Sequence, residues 1–77
     1  MRIIDDRTGK PLASVSLLLT PKEASELVDT LNGLNPKVGD HGHVADVDYQ
    51  RELTVAIYTS DNLGFFSEDV RRMINED

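Results

Sequence analysis

The sequence predicts an α+β domain of order ββαββα: a four-stranded, mainly antiparallel sheet with two helices packed on one face. Three observations carry this. A capping box stands at Thr20-Pro21-Lys22-Glu23 and opens a helical stripe. Two runs, Leu12–Leu19 and Glu52–Thr59, alternate apolar with polar or small residues as half-buried strands do. A second helical stripe then follows the second of those runs.

The elements follow in order. Met1–Asp5, with Ile3 and Ile4, reads as a first strand, and Asp6-Arg7-Thr8-Gly9-Lys10 as a turn whose glycine accepts positive φ. Leu12–Leu19 is the second strand, with Val15, Leu17 and Leu19 on one side, and the first two elements are expected to pair as a hairpin. In the helix after Thr20, Pro21 occupies the first position, where its missing N–H costs nothing. Ala24, Leu27, Val28 and Leu31 form its apolar face, and Asn32-Gly33 ends it, with Gly33 as a left-handed cap and Leu34 folding back. Asn35–Asp40 is a connecting loop. His41–Ala45 is the third strand, Asp46–Gln50 a turn and Glu52–Thr59 the fourth strand. Leu63, Phe66, Val70, Met73 and Ile74 give the last helical stripe, with Ser60-Asp61 or Ser67 as its start.

The 77 residues make a single domain, 1–77. Its halves, 1–34 and 41–77, read as a ββα pseudo-repeat in which Leu18-Leu19-Thr20 matches Ile57-Tyr58-Thr59, and Leu27 and Leu31 match Phe66 and Val70. Identities are few, and any two ββα units share this pattern. A chain this short buries only about 60% of the surface it exposes when unfolded. With no cysteine to supply a disulfide, it depends on one core or on self-association.

Eight Lys and Arg against 14 Asp and Glu give a net charge of −6. Nucleic-acid binders neutralise phosphates with a basic stripe. The only adjacent basic pair here, Arg71-Arg72, sits near Asp69, Glu76 and Asp77, so no nucleic-acid partner is expected. No apolar run approaches the length of a membrane span, and nothing resembles a signal peptide. The expected compartment is the cytoplasm, with no membrane partner. The absence of cysteine agrees with that.

Charge is nearly absent from the predicted strands. If the helices cover one sheet face, the other presents Ser14, Ser16, Leu18, His41, His43, Thr54, Ala56 and Tyr58. A solvated face would carry Lys, Glu and Arg, so this one is expected to meet a second copy of the chain. The predicted homodimer interface is Ser16, Leu18, His41, His43, Ala56 and Tyr58.

Both histidines lie in Asp40–Tyr49, DHGHVADVDY. His41 and His43, two apart on a strand, could share a zinc ion completed by Asp40, Asp46 or Asp48. Asp46 is out of phase with the histidines along the strand, and the chain has no third histidine. A hairpin explains the same residues more simply. In that reading Asp46 and Asp48 form side-chain-to-backbone turns, Tyr49 covers the end of the core, and Arg51 and Glu52 face water. The histidines then contribute to an interface, which weakens on acidification because their charge changes near neutrality.

Gly39-Asp40-His41-Gly42 lacks the basic residues of an RNA-clamping loop, and no phosphate-binding loop or glycine-flanked serine nucleophile is present. No catalytic residue and no cofactor is therefore assigned. The expected function is a non-enzymatic interaction module, dimeric, with an acidic rim suited to a basic partner protein. Antitoxins and immunity proteins that neutralise basic nucleases have this size and charge. A metal- or small-ligand-binding domain centred on His41 and His43 is the alternative, and nucleic-acid mimicry a third.

Overall fold

A computed structural model describes residues 1–75. The pseudo-repeat boundary at 77 and the acidic Glu76 and Asp77 beside Arg71-Arg72 therefore fall outside the described residues. The helices are α1 (Pro21–Gly33) and α2 (Glu68–Asn75), and the strands are β1 (His41–Ala45) and β2 (Glu52–Ala56). Single 3-10 turns span Pro36–Val38 and Leu63–Phe65.

The four-stranded sheet is not formed. The sheet has two strands, β1 and β2, antiparallel, with His41 opposite Ala56 and Ala45 opposite Glu52. The predicted first hairpin shrinks to one bridge, Ile4 to Pro11, flanked by Asp5 N–H donating to Lys10 O at 2.9 Å and Leu12 N–H to Ile3 O at 2.8 Å. Gly9 takes the positive φ its turn requires, at 72°. The ladder goes no further than the Leu12–Ile3 bond. Beyond Leu12 the chain runs to Thr20 with no regular structure and every residue exposed. A groove of about 250 Å³ opens where the alternating leucines should have met the sheet, with Leu17, Leu19, Leu27, Val44 and Leu53 among its walls.

The capping box is present in full. Glu23 N–H donates to Thr20 Oγ1 at 3.2 Å, and Thr20 N–H donates to Glu23 Oε1 at 2.9 Å. The far end departs from expectation: Gly33 remains helical, and the cap is Leu34 at φ −72°, its N–H donating to Leu31 O at 3.3 Å. α1 packs on β1 along Glu23, Leu27, Thr30 and Leu34, all half-buried, while Ala24, Val28 and Leu31 of the predicted apolar face stay exposed. Gly42 is where helix and strand come closest. A Cβ there would run into the Thr30 methyl and lie 3.6 Å from Leu34 Cδ2.

α2 begins at Ser67, whose Oγ accepts from Val70 N–H at 3.3 Å. Its last turn is held by Arg2, which donates through Nε to Met73 O at 3.1 Å and through Nη2 to Ile74 O at 3.2 Å. A cation on the orphan carbonyls of a helix C-terminus is favoured by both hydrogen bonding and the helix dipole. α2 is thus anchored to the N-terminal segment, and α1 is the helix that packs on the sheet.

Asn62 is the most buried side chain, 2% exposed, and all its capacity is used. Nδ2 donates to Pro36 O and to Ile57 O, each at 2.8 Å, and Oδ1 accepts from Thr59 N–H at 2.7 Å. It joins the loop between α1 and β1 to the chain leaving β2. Gly39, at φ 66°, lets Phe65 come against the same loop, with Phe65 Cγ 2.7 Å from where a Cβ would stand.

Asn62→Ala removes a partner from two carbonyls and one N–H. It should cost about 2 kcal/mol by denaturant titration. Gly42→Ala gains strand propensity but meets a stiff β-branched side chain, for a net loss of about 1–2 kcal/mol in the same titration.

Candidate functional site

β1 and β2 set side chains alternately on two faces. Gly42, Val44, Leu53 and Val55 turn to α1, and Val44, 7% exposed, is the only buried apolar residue among the described residues. The opposite face carries His41, His43 and Ala45 beside Ala56, Thr54 and Glu52, the direct cross-strand partners in that order. The histidine rings stand edge to face, centroids 5.0 Å apart at 84°. His43 Nδ1 is 2.8 Å from Glu52 Oε1 and 2.9 Å from Thr54 Oγ1. A protonated Nδ1 donates to the carboxylate; an unprotonated one accepts from the threonine hydroxyl. Either way the ring is oriented from across the sheet.

Of the predicted interface residues, His41, His43 and Ala56 share this face. Ser16 and Leu18 do not lie on the sheet. They belong to the irregular segment, where Leu18 is 93% exposed. Tyr58 lies two residues past the end of β2 and is half-buried.

Two of the nearby carboxylates, Asp40 and Asp46, bond to backbone N–H groups. Asp40 Oδ2 accepts from Asn35 N–H at 3.0 Å. Asp46 Oδ1 accepts from the N–H groups of Gln50 at 2.9 Å and Arg51 at 3.2 Å, and its Oδ2 meets Arg51 Nη1 at 2.9 Å. Among the described residues no group of three or more histidine, cysteine and carboxylate side chains is placed to hold a metal ion.

Asp46 organises the hairpin tip. Besides its side-chain bonds, its N–H donates to Arg51 O at 3.1 Å and its carbonyl accepts from Tyr49 N–H at 3.0 Å. Aspartate favours the first position of such a turn. The side chain of Arg51, then its backbone N–H, holds the Asp46 carboxyl below the usual aspartate range. Tyr49 does not cover the core. It takes φ 55°, the only described non-glycine residue with positive φ, and is 86% exposed. Arg51 stays largely in water while pairing with Asp46.

The residue that sequence reasoning missed is Asn62. Its signal was present as Thr59-Ser60-Asp61-Asn62, a cluster of side chains that bond to nearby backbone, but it read as a helix start. Compared with protein-family models, curated proteins and solved structures, the chain matches none. Among the described residues no helix is long and apolar enough to cross a membrane.

The lowered Asp46 carboxyl sets a pH dependence. A depressed folded-state pKa contributes stability above the unfolded value and loses it as pH falls through the folded one. Asp46→Asn should therefore be less stable than wild type at neutral pH, and the gap should close as pH falls below about 4, the ordinary aspartate range. Thermal melts of both proteins from neutral to acid pH check this.

Proposed function

We propose that this chain is a non-enzymatic protein-interaction module that self-associates and offers an acidic rim to a basic partner, in the manner of an antitoxin or immunity protein of the cytoplasm. The observation that carries the reading is the surface. A compact monomer of this mass exposes about 4700 Å², whereas this chain exposes 6151 Å². Its radius of gyration is 13.2 Å, against about 11.5 Å for a compact domain of this length. Large apolar residues contribute to the excess: Leu12, Val15, Leu17, Leu18, Leu19 and Val28 are all exposed. Singly exposed leucines are ordinary; a run of them beside an open groove marks a surface that another protein covers.

The charge supports the second half of the reading. A net charge of −6 keeps such a surface from indiscriminate association and speeds encounter with a basic protein. The absence of cysteine suits a reducing compartment.

Sedimentation velocity from low to high micromolar concentration tests self-association, with a dimer expected. A single monomeric species across that range rules it out. For the partner, the expected behaviour is salt-sensitive binding to a basic protein, which weakens as ionic strength rises.

A further inference from the structure

We infer that two copies of this chain associate by antiparallel pairing of the segment Ala13–Leu19, adding an intermolecular two-stranded ladder to each protomer. This rests on the self-association reading and specifies where it occurs.

The first ground is backbone accounting. Leu12 N–H is used by Ile3 O, and Thr20 N–H by Glu23 Oε1. Between them, no N–H or C=O of residues 13–19 makes a hydrogen bond among the described residues, although every other segment of comparable length is tied by a helix, a ladder, a turn or a cap. A run of unpaired donors and acceptors with alternating apolar side chains is a template for strand addition. Natural edge strands guard against this with charge, proline or a bulge. Residues 13–19 contain no charged residue and no proline.

Charge also selects the occupant. Two chains of net charge −6 repel at long range. Residues 11–21 form the longest stretch without Asp, Glu, Lys or Arg, so this is where two copies approach with least repulsion.

The area is sufficient. The surface in excess of a compact monomer, about 1450 Å², exceeds the roughly 800 Å² per partner that a stable interface buries.

The segment is also self-complementary. The free run is centred on Ser16, and a two-fold axis there sets Ser16 opposite its own copy, Val15 opposite Leu17, and Ala13 opposite Leu19. Apolar residues meet apolar residues on one face, while Ser14, Ser16 and Leu18 share the other. Residues 16–19 line the groove walled by Leu27, Val44 and Leu53, so pairing brings a second copy's side chains beside an uncovered core.

The chain has no cysteine, so single substitutions report register without background. Ser14→Cys, Ser16→Cys and Leu18→Cys are each oxidised and run without reductant. Ser16→Cys should cross-link to itself far more than the other two, whose own copies would lie about 14 Å away along the ladder, beyond disulfide reach. The pairing places Ser16 opposite its copy as a close, non-hydrogen-bonded pair, so the flanking Val15–Leu17 pairs carry the hydrogen bonds; Leu17→Pro removes an N–H from each and should weaken the dimer about tenfold or more by sedimentation. Ala56→Arg, on the histidine face, should leave it unchanged. Because residue 17 makes no hydrogen bond in its own chain, an unchanged far-UV circular dichroism spectrum is expected for Leu17→Pro. A wild-type protein that stays monomeric overturns the self-association reading and this inference together. If the wild type dimerises but Leu17→Pro does so equally well, or cross-linking at 16 does not exceed that at 14 and 18, strand pairing is wrong while self-association stands. Dimerisation abolished by Ala56→Arg alone would move the interface to the histidine face.

Discussion

The fold depends on Asn62. It is a polar side chain at the most buried position of the described residues, and its three bonds join the loop before β1 to the chain leaving β2. Pro36 O belongs to the loop that brings the chain from α1 to β1, while Ile57 O and Thr59 N–H belong to the chain leaving β2. Buried amides are tolerated only when their donors and acceptors are matched. That requirement sets the position of one segment against the other. Phe65 comes against Gly39 three residues beyond Pro36 in the same loop.

The opposite end of the hairpin is secured independently. Asp46 gathers the backbone of Gln50 and Arg51 and pairs with the Arg51 guanidinium, so the turn closes without support from the core. This explains how Tyr49 can hold a left-handed conformation in open water. The hairpin is consequently rigid at both ends, while one face is covered by α1 and the other stays open. That open face is built from histidines, a threonine and an alanine. The arrangement orients His43 from across the sheet without enclosing it.

Two features of the molecule pull in opposite directions. Its net charge of −6 disfavours close approach of two copies, while its exposed leucines favour burial against another surface. A single buried apolar side chain among the described residues, Val44, is little core for a chain of this length by the ordinary scaling of burial with size. Such a chain gains most by covering its surface with another protein. The uncharged run before α1 is where the two tendencies conflict least.

Wherever an element rests on neighbours in the sequence, it was legible there. The capping box at Thr20, the placement of His41 and His43 on one face, and the Asp46 turn are all local, bonding within a few residues or across one short hairpin, whereas the start of α2 was open between Ser60-Asp61 and Ser67. Residues 12–19 have the alternation of a strand, but alternation states only which face would be buried. A strand also needs a neighbour's edge, and the one local ladder that could have supplied it ends at the Leu12–Ile3 bond. Gly33 likewise has the residue for a left-handed cap, yet Leu34 closes the helix in its place. Asn62 was unreadable for the same reason, because its partner Pro36 lies 26 residues away and nothing local distinguishes a buried amide from an exposed one. The sequence by itself determined caps, turns and side-chain faces. Which backbone edges found partners was decided only in three dimensions, because a hydrogen-bond ladder is a property of two segments and not of either one.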